Sequence, residues 1–173
     1  MTIKIWNIST GLLIRTLLGH TGELYGLIVL NNGLICSGSG DSTIKYWEPK
    51  SGECTKTLKG HSNWVNGLTL LRNDQLASCS GDKKINIWDS TTGQLIKTFE
   101  GHSSSVEYLT LLPNGHLASS SYDSTIKIWD VDTGECLKTL VGHSKCVSGL
   151  AVLKNGTLAS CSRDKTIKIW ETN

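Results

Sequence analysis

Histidine, serine and aspartate are the side chains of an acyl-transfer site, in which a base activates a hydroxyl and a carboxylate orients the base. This chain carries all three, together with a tryptophan, in four sets. They are His20, Ser37, Asp41 and Trp47; His61, Ser78, Asp82 and Trp88; His102, Ser119, Asp123 and Trp129; and His143, Ser160, Asp164 and Trp170. A hydrolase needs its nucleophile once. Residues that return four times at unchanged spacing belong more simply to the frame of each segment, so the chain is expected not to be an enzyme. A second serine follows each first one two places on (Ser39, Ser80, Ser121, Ser162) and shares its strand face, so it remains an alternative member of the set.

Other chemistries find less support. The histidines are evenly spread over distant segments, and the fifth, His116, is matched by Leu34, Gln75 and Thr157, so no common metal is expected. The glycine-rich stretch Ser37–Asp41 is not followed by Gly-Lys-Ser/Thr and opens no helix, which argues against phosphate binding. No cofactor is expected. The 17 basic and 15 acidic residues give a formal charge of +2, too small a field to imply nucleic acid or an anionic membrane. No apolar run reaches the roughly 18 residues of a membrane span, and "MTIKIWNIST" lacks the apolar core of a signal peptide. The six cysteines contain no Cys-x-x-Cys pair, and their counterparts in other copies include Ala, Leu, Ser, Gly, Trp and Glu, so no repeating bridge is expected. They read as small buried apolar residues of a reducing compartment, so a cytoplasmic or nuclear location is expected.

The sets are positioned by a repeat. Trp6, Trp47, Trp88, Trp129 and Trp170 lie 41 residues apart, and the copies are 7–47, 48–88, 89–129 and 130–170, without insertion or deletion. Residues 1–6 form a redundant extra strand in this single array. Each copy holds four short β-like runs; in the last they are Glu135 to Leu140, Val147 to Leu153, Thr157 to Ser162 and Thr166 to Trp170. Asn-Gly pairs between the second and third runs are expected to supply the positive-φ residues of tight hairpins. No 3.6-residue apolar period is present, so the chain is all-β. One 41-residue sheet cannot cover both of its faces, and sheets stacked around an axis solve that problem.

Gly-His, the aspartate six residues before the tryptophan, and the Trp-Asp pairs at Trp88-Asp89 and Trp129-Asp130 resemble the WD-repeat family of β-propellers over the whole chain. The resemblance implies propeller blades, here four repeats making half or part of a ring. It also implies that each set forms a buried network from tryptophan N–H through serine and histidine to aspartate. Members of that family are rigid platforms for proteins and peptides. A scaffold of this kind is the leading expectation, and a regulatory or sensor segment of a larger protein, bound to its own chain, is the alternative.

Recognition should lie where the copies differ on an exposed face. Alternating strand direction puts the loop after Gly-His and the aspartate turn on one face, where Glu23, Tyr25, Trp64, Asn66, Glu107, Tyr122, Lys145 and Arg163 are the candidate partner-binding residues; Tyr108 reads equally well as packing. If a blade takes its outer strand from the following copy, residues 24–58, 65–99 and 106–140 make three whole blades, and a fourth lacks its outer strand. The opening "TIKIW" then duplicates the closing one, which reads as a cut from a longer array or an excised set. Two copies could close an eight-bladed ring, with the C-terminal "TIKIW" winning the shared slot and Met1 to Trp6 fraying or packing outside.

Overall fold

In a computed structural model, which describes residues 1–171, the chain forms five antiparallel sheets in sequence order. The first pairs β1 (Thr2–Trp6) with β2 (Leu13–Leu18). Blade 1 follows with β3 (Leu24–Val29), β4 (Ile35–Ser39), β5 (Thr43–Trp47) and β6 (Cys54–Lys59). Blade 2 contains β7 (Val65–Leu70), β8 (Gln75–Ser80), β9 (Ile85–Asp89) and β10 (Leu95–Phe99). Blade 3 contains β11 (Val106–Leu111), β12 (Leu117–Ser121), β13 (Thr125–Trp129) and β14 (Cys136–Val141). Blade 4 has three strands, β15 (Val147–Val152), β16 (Leu158–Ser162) and β17 (Ile167–Trp170). The strand accounting read from the repeat therefore holds for all four blades.

The blades stack face to face because their middle strands are apolar or small on both sides. Every residue of β12 is buried. Cys36, Ile44, Tyr46 and Leu58 of blade 1 pack on Val65, Leu68, Leu76 and Trp88 of blade 2. Ala77, Cys79, Ile85, Ile87 and Phe99 of blade 2 meet Val106, Leu109, Leu117 and Trp129 of blade 3 in the same way. Each such buried side chain contributes about 1.5–3 kcal/mol, so the interfaces between blades carry the fold. Polar straps also join neighbouring sheets: Arg15 Nη1 of the first sheet donates to the Ser51 carbonyl of blade 1 at 2.9 Å, and the Lys56 and Lys97 ammonium groups donate across the next two junctions to the Thr91 and Asp132 carbonyls.

Two local expectations are corrected below. Thr2–Trp6, expected to fray or to lie outside a two-copy ring, is a full strand in the single chain. It pairs with β2 from Thr2↔Leu18 to Trp6↔Leu13, matching the β13–β14 register from Thr125↔Val141 to Trp129↔Cys136. Ile3 and Leu17 bury their side chains against Trp47. In the Asn-Gly turns only the glycines take positive φ, 86° at Gly33 for example. Their asparagines act as side-chain acceptors instead, as Asn32 Oδ1 does for the Leu34 N–H at 3.1 Å. The cysteines are free, but only Cys36, Cys79 and Cys146 are buried; Cys54 is half-buried, and Cys136 and Cys161 are exposed. Cys161 occupies in blade 4 the place of Cys79 in blade 2, on a sheet face that no further blade of this chain covers.

Candidate functional site

Two groups of polar residues lie at the end of the stack where the Gly-His loops and aspartate turns meet. The buried one is the repeated set. In blade 3 the Trp129 Nε1–H donates to Ser119 Oγ at 2.8 Å, Ser119 Oγ lies 2.8 Å from His102 Nε2, and His102 Nδ1 lies 2.7 Å from Asp123 Oδ2. A carboxylate only accepts, so Nδ1 carries the proton, and the bare Nε2 accepts from the serine hydroxyl. Blades 1, 2 and 4 repeat these contacts within 0.1 Å, through His20, His61 and His143. The second serines do different work: the Asp123 N–H donates to Ser121 Oγ, and the other three turns match.

This arrangement is unsuited to nucleophilic chemistry. The Ser37, Ser78 and Ser119 side chains have no exposed surface, and each hydroxyl already serves a tryptophan and a histidine. The aspartates act as turn clamps. Asp123 accepts from the Ser103 N–H of the Gly-His loop and from the Thr125 N–H and hydroxyl beyond the turn. Between them Ser124 adopts φ 69°, a left-handed conformation costing a side-chain-bearing residue about 1–2 kcal/mol, which the clamp offsets. Glycine precedes each histidine because the indole comes close: a Cβ at Gly60 would lie 2.7 Å from Trp88 Cη2.

Electrostatics agree with a neutral imidazole hydrogen-bonded to an ionised carboxylate. Burial pushes His102 below its ordinary value, outweighing the Asp123 hydrogen bond and charge that raise it. Burial also pushes Asp123 up, but hydrogen bonds from Thr125 and His102 bring it below the usual carboxylate range. The Asp41 carboxyl is lowered against the same burial cost by Thr43 and His20.

The second group is open. A cavity of about 660 Å³ at the mouth is lined by Tyr25, Trp64, Asn66, Glu107, Tyr122 and Arg163, with Asn63, Gly81, Ser104 and Ser105. Six of the eight residues singled out for partner binding thus converge. Glu23 sits beside them, its Oε2 accepting from the Tyr25 hydroxyl at 2.6 Å. Lys145 does not line the cavity; its carbonyl accepts from Ser162 Oγ, whereas Tyr108 is exposed but also outside. Tyr25 and Trp64 stack at 5.8 Å with an interplanar angle of 26°, and the Arg163 guanidinium lies 4.7 Å from the Tyr122 ring centre. Asn66 Nδ2 donates to Ser105 Oγ, the Val106 carbonyl and Glu107 Oε1.

Local backbone explains why these side chains reach the mouth. The register of each innermost pair slips by one residue near the mouth: between Leu24 and Gly26, Val65 and Gly67, Val106 and Tyr108, and Val147 and Gly149. The skipped residues are Tyr25, Asn66, Glu107 and Ser148. A bulge re-aims its extra residue and ends regular pairing, a common device beside binding sites. Asn63 and Ser104, not singled out in the sequence, stand at the repeat position that Lys145 holds in the last copy, and they line the cavity where Lys145 does not.

The repeat that builds both groups matches the sequence model of the family described as WD domain, G-beta repeat, four times in tandem, at residues 11–48, 52–89, 93–130 and 134–171. The chain belongs to the WD-repeat family. Its structure is also similar to the crystal structure of the WD40 beta propeller domain of Doa1, with a TM-score of 0.90 and 28% sequence identity over 99% of this chain. It spans 58% of that chain. A comparison with curated proteins gave no significant match. WD propellers are generally protein-interaction scaffolds. In WD-repeat terms each matched unit begins near the outer strand of one blade and ends after the tryptophan strand of the next, so neighbouring blades are tied covalently as well as by packing.

Proposed function

We propose that this chain is a non-catalytic scaffold that captures a peptide or protein segment at the mouth face. The supporting observation is the cavity of about 660 Å³, whose lining residues differ from copy to copy while the buried sets beneath them do not. Tryptophan, tyrosine and arginine are the types that carry most binding energy at interfaces, and Trp64 is 55% exposed. A randomised displayed-peptide library panned on the purified chain tests the reading. Selected clones should lose binding to the triple variant Trp64→Ala, Tyr122→Ala, Arg163→Ala while its β-rich circular dichroism persists. Clones that bind the triple variant equally well would place recognition elsewhere. The six free cysteines accord with a reducing compartment, and we assign the cytoplasm or nucleus on that ground.

The proposal extends to assembly. Blade 4 presents Ile167 and Ile169, 74% and 58% exposed, where the equivalent Ile85 and Ile87 of blade 2 are each 1% exposed. Blade 1 leaves Leu27 and Val29 open at the other end. A second copy is the occupant we propose, because β2 already holds the sequence "TIKIW" of β1 in the register that the "TIKIW" of β17 would need. Light scattering should show a dimer that loses its partner when residues 1–18 are removed. A stable monomer at the 18.8 kDa of one chain would overturn this part.

A further inference from the structure

The mouth also carries information about the chemistry of what it binds, an inference that rests on the scaffold reading and sharpens it. Glu107 stands on the β11 bulge with one carboxylate oxygen fixed. Oε1 accepts from the Ser105 hydroxyl at 2.7 Å and from Asn66 Nδ2 at 3.2 Å. The Asn66 amide is itself oriented by the Val106 carbonyl at 2.9 Å, which requires its nitrogen on that side. Its oxygen is thereby left as an acceptor. Among the described residues Glu107 Oε2 and Asn66 Oδ1 take part in no hydrogen bond.

Among the described residues neither mouth carboxylate is in an ion pair, and the one lysine–carboxylate pair joins Lys84 to Glu100, away from the mouth. Arg163, the cation of the cavity lining, is laid over Tyr122. Glu23 is bound to the Tyr25 hydroxyl, and the Tyr25 ring is stacked under the exposed Trp64 indole. The Tyr25 phenol is accordingly held above its ordinary value, first by its hydrogen bond to Glu23, then by burial and by the charges of Glu23 and Glu107. An exposed aromatic plate therefore lies in the field of two uncompensated carboxylates, one held rigid by neutral donors.

A flat or long-stemmed cation satisfies all three features. Its methylenes cover the indole, its charge interacts with the ring face, and its N–H groups meet open acceptors. We propose that the mouth recognises a basic side chain of a peptide, arginine above lysine, with its stem on Trp64 and its head on Glu107 and Asn66. Arginine is favoured because its planar fork can donate to two acceptors at once. The fixed Glu107 oxygen means that little side-chain freedom is lost when the ligand arrives.

The test uses the full chain and the probe acetyl-glycyl-arginyl-glycinamide, followed by the Trp64 indole N–H resonance, which Trp64→Phe assigns. The arginine probe should shift that resonance saturably. The citrulline analogue, equal in shape but neutral, and the Glu107→Gln protein should each bind about tenfold more weakly, as expected for loss of a charged hydrogen-bond pair. Ser105→Ala, which frees Oε1 while keeping the charge, should show a smaller loss. Equal binding of the citrulline probe, or preference for the glutamyl tripeptide with shifts at Tyr122, would overturn the inference. The displayed library separates the two levels. Mouth-dependent clones without a basic residue would sink the cation inference and leave the scaffold reading standing; clones indifferent to the mouth would sink the scaffold reading itself.

Discussion

The buried sets and the mouth cavity lie at the same end of the same blades, yet sequence variation treats them oppositely. The His–Ser–Asp–Trp contacts differ by no more than 0.1 Å among four blades. Five residues after each histidine, the bulge position is Tyr25, Asn66, Glu107 or Ser148. The first region is closed, with every polar atom assigned a partner by its neighbours. The second is open, with acceptors that have none. Titratable residues thus mean different things in the two places: a repeated, satisfied histidine is architecture, and an unrepeated glutamate with one open oxygen is a candidate for recognition.

The largest expected effect is on the frame. Trp129→Ala removes a fully buried indole and should cost about 3–5 kcal/mol. His102→Ala should cost about 1–3 kcal/mol, because it removes the buried acceptor of the Ser119 hydroxyl and one buried donor to Asp123. In a chain of this size each kcal/mol lowers the melting temperature by about 2–4 °C, so calorimetry resolves both. A melting temperature unchanged by His102→Ala would dissolve the distinction between the regions.

Acid provides a smaller, graded form of the same comparison. His102 is held below its ordinary value, so the unfolded chain takes up its proton first as pH falls. Its contribution is whole above about pH 6.5 and declines below that. Asp41, Asp82, Asp123 and Asp164 are also lowered, so their contribution is whole above about pH 4 and is lost as pH falls further. The melting temperature should therefore be level near pH 7–8, slope down just below about 6.5 and fall steeply below about 4. A stability maximum near pH 5 would contradict the assignment.

The frame was legible in the sequence because its signal is repeated. Four copies of the same runs and turn residues gave the strand order, and Trp6 to Trp170 gave the period. What stayed illegible depends on neighbours. Cys161 looks like Cys79 in sequence, but burial is decided by whether another blade stands in front of it. The choice between Ser119 and Ser121 required atomic positions, since two residues on one strand face look alike in a pattern. The mouth was legible as a set of varying positions, but not the bulges that aim Tyr25, Asn66 and Glu107, because a register slip leaves no mark in composition. Lys145 failed as a cavity residue although Asn63 and Ser104, at the same repeat position, line it, so repeat position alone does not fix which side chains reach the cavity.

The most direct test of the division between frame and mouth measures two quantities on three proteins: the denaturant midpoint, and the affinity for a peptide selected from the displayed library. The proteins are the wild-type chain, His102→Ala, and Trp64→Ala with Tyr122→Ala and Arg163→Ala. The account predicts that His102→Ala lowers the midpoint and, under conditions where it is folded, binds the peptide with wild-type affinity. It predicts that the triple variant keeps the midpoint and loses the peptide. A His102→Ala protein that is stable but no longer binds, or a triple variant that unfolds early and still binds, would contradict it.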